Sequence, residues 1–202
     1  MLKDEKKTNA KIFTTMGASN HTYDEREEND FYATDPRSID DLLAKESFDN
    51  LIWEPAVGMG HMALRLYDKG YNVFASDIID RGWPDTEIID FVNTDVSQFN
   101  FDGDIITNPP YKYCMEFVLQ SLKAIKPGHK VAMFLKLTAL EGGKRYEELY
   151  SKYPPKVVYV YSKRIICAKN GDFDKVSGSA VCYAWFVWEK GFTGKTTLDW
   201  IY

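Results

Sequence analysis

The 202-residue chain is poor in cysteine, histidine and long apolar runs, and each shortage removes a class of function. Its three cysteines, Cys114, Cys167 and Cys182, are odd in number and far apart. They make neither a disulfide framework nor a zinc spacing, and are expected to be buried thiols. His21, His61 and His129 form no metal-ligand pattern, so no metal site is expected. No apolar run reaches the roughly 18 residues of a membrane span. The opening MLKDEKKTNAKIF is charged, unlike a signal peptide, which leaves a cytoplasmic location and no membrane partner as the expectation. Linkers and repeats are also missing. Residues 1–30, polar with the run DEREEND, are expected to form a flexible arm, and residues 31–202 a single domain with no separate recognition domain.

The chain lacks the positive charge of an obvious nucleic-acid binder, its balance being −5. The distribution says more. Residues 1–100 carry 10 Lys and Arg against 20 Asp and Glu, whereas residues 101–202 carry 15 against 10. Such a split permits one basic face on an acidic body, and a solvated helix face gives the same count.

What is present is an alternating pattern. A helix is expected over RSIDDLLAKES after Pro36, then the strand NLIWE, a glycine loop, and the helix HMALRLYDKG stopped at Gly70. YNVFASD reads as a strand, and EIID as a third short one before NTDVSQF. GDIITN is a strand running into Pro109 and Pro110, which cannot continue a ladder. KYCMEFVLQSLKAIKPG reads as an amphipathic helix, HKVAMFLKL as a buried strand, and ALEGGKRYEELYSKY as partly helical. PKVVYVYSKR and SAVCYAWFVWEK are strand-like, with the polar segment CAKNGDFDKVSG between them read as a loop. The order predicts an α/β fold: a Rossmann-like, doubly wound, mostly parallel sheet with an antiparallel edge. Ligands bind such sheets outside the carboxyl ends of the strands, and the unusual residues fall there.

Four constellations stand at those ends. Glu54-Pro55-Ala56-Val57-Gly58-Met59-Gly60 ends a strand in an acid before a glycine turn that allows close backbone approach. The acid suits a ligand with an ammonium group. Asp77 ends the next strand 23 positions later, near the ~20-residue offset at which an acid meets ribose hydroxyls; Asp80 competes for that role. Asp95, after the third short strand, could accept from an adenine amino group. Asn108-Pro109-Pro110-Tyr111 is the sharpest signal, because two prolines fix a rigid turn holding an amide and a ring.

This NPPY turn after a strand, with EPAVGMG upstream, resembles the amino-methyltransferase group of S-adenosylmethionine-dependent enzymes. Phe31-Tyr32-Ala33-Thr34-Asp35-Pro36 resembles the N-terminal cofactor motif of gamma-class N6-adenine DNA methyltransferases. GASN at 17–20 and Ala184-Trp185-Phe186-Val187-Trp188 resemble the small phage and prophage type. The resemblance spans about residues 17–190. It implies the class I methyltransferase fold, S-adenosylmethionine as cofactor, and adenine N6 in DNA as acceptor. It also implies that Tyr32, Thr34, Glu54, Ala56, Gly58 and Gly60 hold the methionine end, Asp77 the ribose and Asp95 the adenine. Asn108, Pro109, Pro110 and Tyr111 would meet the substrate base, Asn108 also bordering the cofactor. The Asn108 oxygen and Pro109 carbonyl would accept from the target amine, and Tyr111 would stack on a flipped base. Cys114 reads as packing.

Departures remain. No segment is long enough for a recognition domain. Lys163, Arg164, Lys169 and Lys175 are candidates for phosphates, and Phe173 for a second stacking ring. Target choice could come from a homodimer or a partner. The alternatives are an RNA adenine methyltransferase, a protein glutamine-amide methyltransferase, a non-catalytic cofactor-binding module, and a nicotinamide oxidoreductase, which leaves NPPY unexplained.

Overall fold

The computed structural model describes residues 32–169 and 181–202. Its strands are β1 (Tyr32–Thr34), β2 (Leu51–Glu54), β3 (Asn72–Asp77), β4 (Glu87–Ile88), β5 (Asp104–Thr107), β6 (Lys130–Lys136), β7 (Val157–Tyr161), β8 (Cys167–Lys169), β9 (Tyr183–Glu189) and β10 (Thr197–Ile201). The longer helices are α1 (Arg37–Leu43), α2 (His61–Asp68) and α3 (Cys114–Ala124).

Eight strands form one sheet in the order β10-β7-β9-β6-β5-β2-β3-β4. β9 is antiparallel to both neighbours, and the other pairings are parallel. The expected α/β sheet is therefore present, with its antiparallel strand set between β6 and β7. The sheet works on both faces because side chains alternate along each strand. Trp53, Ile105, Val131, Met133, Phe186 and Trp188 face α3 with Phe117, Val118 and Leu122. Ile52, Ile106, Ala132, Phe134, Trp185 and Val187 face the opposite way, with Ile39 and Leu42 of α1 and Met62 and Leu66 of α2. Burial on both sides explains the unbroken apolar runs of β5 and β6.

Several elements differ from the sequence reading. α1 stops at Leu43, short of Ser47, because tertiary bonds draw the next residues away. Glu46 accepts from Lys130 Nζ at 2.8 Å and from the Tyr159 hydroxyl at 2.6 Å, and Ser47 O accepts from Lys130 Nζ. NTDVSQF forms a 3-10 turn, Val96–Phe99, capped by Asp95. The segment read as a polar loop from residue 167 begins as β8, which pairs antiparallel with β1 in a separate two-stranded ribbon. β10 carried no alternation signal: residues 197–200 are all exposed, and only Ile201 is buried. Cys114 and Cys167 are half-buried, while Cys182 is exposed just before β9, against the expectation of three buried thiols. The arm at 1–30, Phe173 and Lys175 lie outside the described residues. Among the described residues no helix is long and apolar enough to cross a membrane.

Candidate active site

The chain runs outward from β2 through β3 to β4, then returns to lay β5 on the other side of β2. That reversal opens a crevice at the carboxyl ends of β2 and β5. Glu54, Asp77 and Asn108 therefore stand at the ends of three adjacent strands, β2, β3 and β5.

On the β2–β3 side the loop after Glu54 is fastened to the next strand. Val57 N donates to Ser76 O at 3.0 Å, and Gly58 N donates to Asp77 Oδ2 at 2.8 Å. Asp77 Oδ1 also accepts from Ile79 N at 3.2 Å. Gly58 and Gly60 have φ of 57° and 79°, so glycine lets the loop turn there without a Cβ penalty. At Gly60 the space is also taken: a Cβ would lie 1.8 Å from Trp83 Cε3, because the indole rests on the loop. Ala56 is half-buried and packs on the α3-side core.

Glu54 is 2% exposed, and its Oε2 has no hydrogen-bond partner among the described residues. Burial, and then the neighbouring Asp77 carboxylate, push its carboxyl well above the usual range, opposed only by a bond from the Ala63 backbone. A carboxylate stripped of water beside a second acid is a site for a cation.

On the β5 side, the Asn108-Pro109-Pro110-Tyr111 turn is gripped by the β1–β8 ribbon. Register places Thr34 opposite Cys167, and Thr34 is 2% exposed. Asn108 Nδ2 donates to Thr34 Oγ1 at 2.8 Å across 74 residues of sequence. That bond fixes the amide rotation and turns its oxygen to the opposite side. Pro109 is buried, and the Pro110 carbonyl accepts from Tyr113 N at 2.8 Å, starting the 3-10 turn Tyr111–Tyr113 ahead of α3.

The Tyr111 hydroxyl donates to Cys167 Sγ at 3.6 Å. Its ring lies 6.2 Å from the Tyr183 ring, and Lys136 Nζ stands 4.5 Å over it. Burial, then Cys167, hold the phenol well above its ordinary range, so it stays neutral. Burial likewise pushes the Cys167 thiol up.

Thr34, Asn108 and Tyr111 are thus joined on one side of the crevice, and Glu54, Gly58 and Asp77 on the other. Asp95 touches neither group by a hydrogen bond. Its exposed carboxylate accepts from Ser97 N and Oγ, and the hydroxyl bond chiefly holds it below the usual carboxylate range. Tyr32 contributes backbone to β1, opposite Lys169.

Sequence reasoning missed four contributors. Trp83 covers Gly60. Lys136 and Tyr183 frame Tyr111. Gln120 of α3 gives its Nε2 to the carbonyls of Phe91, Val92 and Thr94 at 2.9–3.1 Å, fastening the segment that leads to Asp95. The available signal for Gln120 was a polar residue among the apolar positions of CMEFVLQSLKA. For Trp83 there was none.

No protein-family model matches the chain, and no curated protein matches it. Solved structures do. One is assigned as the modification subunit of a type I restriction enzyme from Vibrio vulnificus, with a TM-score of 0.58 and 11% identity over 95% of this chain and 49% of that one. The chain thus spans about half the length of that subunit. A second is assigned as a class I S-adenosylmethionine-dependent methyltransferase from Listeria monocytogenes, at 0.55 and 10% identity, covering 98% and 73%. A third is assigned as an RNA methyltransferase from Pyrococcus horikoshii, at 0.53 and 14% identity, covering 93% and 100%. At these identities the likeness concerns architecture alone. With its strand order, its crevice and these neighbours, the chain has the class I methyltransferase fold.

Proposed function

We propose that the chain is an S-adenosylmethionine-dependent methyltransferase that methylates an exocyclic amino nitrogen, with adenine N6 in DNA as the first substrate. The observation that carries the reading is the Asn108-Pro109-Pro110-Tyr111 turn, locked to Thr34 and set one strand from the buried Glu54.

The residues present fit the cofactor. The buried Glu54 Oε2, without a hydrogen-bond partner among the described residues, suits a ligand ammonium. Ala56, Gly58 and Gly60 would line the methionine end, with Tyr32 and Thr34 closing it. Asp77 already accepts two backbone N–H groups, and a carboxylate has lone pairs left for ribose hydroxyls. Asp95 would turn from Ser97 to meet the adenine. Bound there, S-adenosylmethionine supplies an electrophilic methyl group.

The chain's own residues do the rest. An exocyclic amine is a poor nucleophile, because its lone pair is delocalised into the ring. The Asn108 oxygen and the Pro109 carbonyl would accept its two N–H bonds and stabilise the charge that develops on nitrogen. Neither Asn108 nor the neutral Tyr111 is a base, so the departing proton goes to water. The ring face of Tyr111 beneath Lys136 would receive the base, with the ammonium displaced. Structures sharing this fold include the modification subunit of a type I restriction enzyme and an RNA methyltransferase, so RNA adenine is the second reading.

The test is transfer of labelled methyl to unmethylated duplex DNA, with RNA and a protein extract in parallel, followed by nucleoside analysis. N6-methyladenine in DNA is expected. Label only in RNA or in glutamine moves the substrate. Cofactor binding without any transfer would leave a binding module.

A further inference from the structure

A cleft of about 360 Å³ opens from Tyr111 toward the turn that follows β6. Its walls include Tyr111, Lys112, Glu116, Gly142, Lys144 and Arg145, so three cations face one carboxylate. The cations differ in mobility. The Arg145 guanidinium is fixed by the carbonyls of Ala139 and Thr138, at 3.0 and 3.3 Å, and by that of Glu141. Lys144 has an exposed side chain and, among the described residues, pairs with Glu148 alone, at 3.9 Å. Lys112 lies over the Tyr113 ring at 5.0 Å and is exposed. Tyr111, which lines the cleft, has Lys136 Nζ 4.5 Å over its ring.

A concave path that begins at the ring offered to the base, and is lined by cations, matches the charge and shape of a phosphodiester strand. We infer that the strand carrying the target nucleotide runs through this cleft, its phosphates neutralised by Lys112 and Lys144 while Arg145 holds the wall. This rests on the methyltransferase reading and adds where the polyanion lies. It also gives the net-acidic chain a local basic track, since opposed charges elsewhere do not cancel a field focused in a cleft. DNA and RNA share this chemistry, and the assay separates them.

Binding of fluorescent DNA and RNA oligonucleotides is measured against KCl concentration for the wild type and for K112A/K144A, with cofactor affinity and melting temperature followed in parallel. Each neutralised phosphate contributes about 0.9 to the salt slope on duplex DNA and about 0.7 on single strands. The double variant is expected to lose between about one and two units of slope and roughly tenfold or more in affinity. Its cofactor affinity and melting temperature stay unchanged. A wild type that binds with a steep slope, and a double variant that keeps it, would place the strand elsewhere and leave the methyltransferase reading intact. A wild type that binds neither oligonucleotide, yet methylates another acceptor, overturns the nucleic-acid reading itself and this inference with it.

Discussion

The ends of β2 and β3 and the ends of β5 and β6 lie side by side in one sheet, yet they are made of opposite materials. The first pair ends in acids, Glu54 and Asp77, with the stretch beyond, β4 included, carrying Asp80, Asp85, Glu87 and Asp90. The second leads to an amide, aromatic rings and cations: Asn108, Tyr111, Lys112, Lys136, Lys144 and Arg145. Backbone N–H groups fasten the acidic side, Gly58 N on the Asp77 carboxylate above all. The amide side is fastened by side chains from a distant ribbon, Thr34 and Cys167. Under the proposed function, one end of the sheet takes a cation and a polyanion at once, because each charge is confined to its own segments.

The comparison can be broken from the amide side first. Asn108→Ala is expected to lower kcat by on the order of a hundredfold or more, with cofactor affinity nearly unchanged by calorimetry. Loss of both together would make the turn a structural brace for the acidic side. Next comes Glu54→Gln, expected to weaken cofactor binding by roughly tenfold to a hundredfold, the range for a lost charged hydrogen bond. Cofactor affinity in the wild type should rise with pH until the raised value of Glu54 is passed, and binding should release a proton, visible as a buffer-dependent enthalpy. Both effects should vanish in the variant.

The same substitution sharpens the stability argument. The Glu54 carboxyl sits higher in the folded protein than in the unfolded chain, so its contribution is full at low pH and is lost as pH rises through the folded value. Glu54→Gln should therefore melt higher than the wild type at neutral pH while binding cofactor worse. A lower melting temperature would contradict the burial cost assigned to that carboxyl. Thr34→Val keeps shape but removes the Asn108 acceptor, and roughly three- to tenfold in kcat should go, with cofactor affinity kept. The smallest effect is on stability. Gly60→Ala forces a left-handed residue against Trp83, which should cost about 1–3 kcal/mol, and Trp83→Ala in addition should restore part of it.

Most of the sheet was legible because burial on two faces writes continuous apolar runs, as in GDIITN and HKVAMFLKL. Glycine and proline marked where the runs end. Glu54, Asp77 and Asn108 were singled out because strand ends are where this architecture places ligands, and they stand at the ends of three adjacent strands. The ribbon was not legible. β1 and β8 are three residues each, too short for alternation, and their pairing is visible only in space. Nor could local sequence show that Glu46 leaves α1 for Lys130 and Tyr159, an outcome decided by partners dozens of residues away. Asp95 is different, since it caps its turn by bonds to Ser97 two positions on, a local pattern that NTDVSQF carries.

The ribbon has a bearing on how the protein comes to exist. Thr34 precedes the whole β2–β7 unit and Cys167 follows it, so the two can meet only after the chain between them has collapsed. Closing so long a loop is slow compared with forming any single strand–helix step. The ribbon that holds the Asn108 anchor in place therefore closes late. A chain whose ribbon is still open would hold the Gly58–Asp77 bond and lack the oriented amide, so under the proposed function methyl transfer would act as a readout of completed folding.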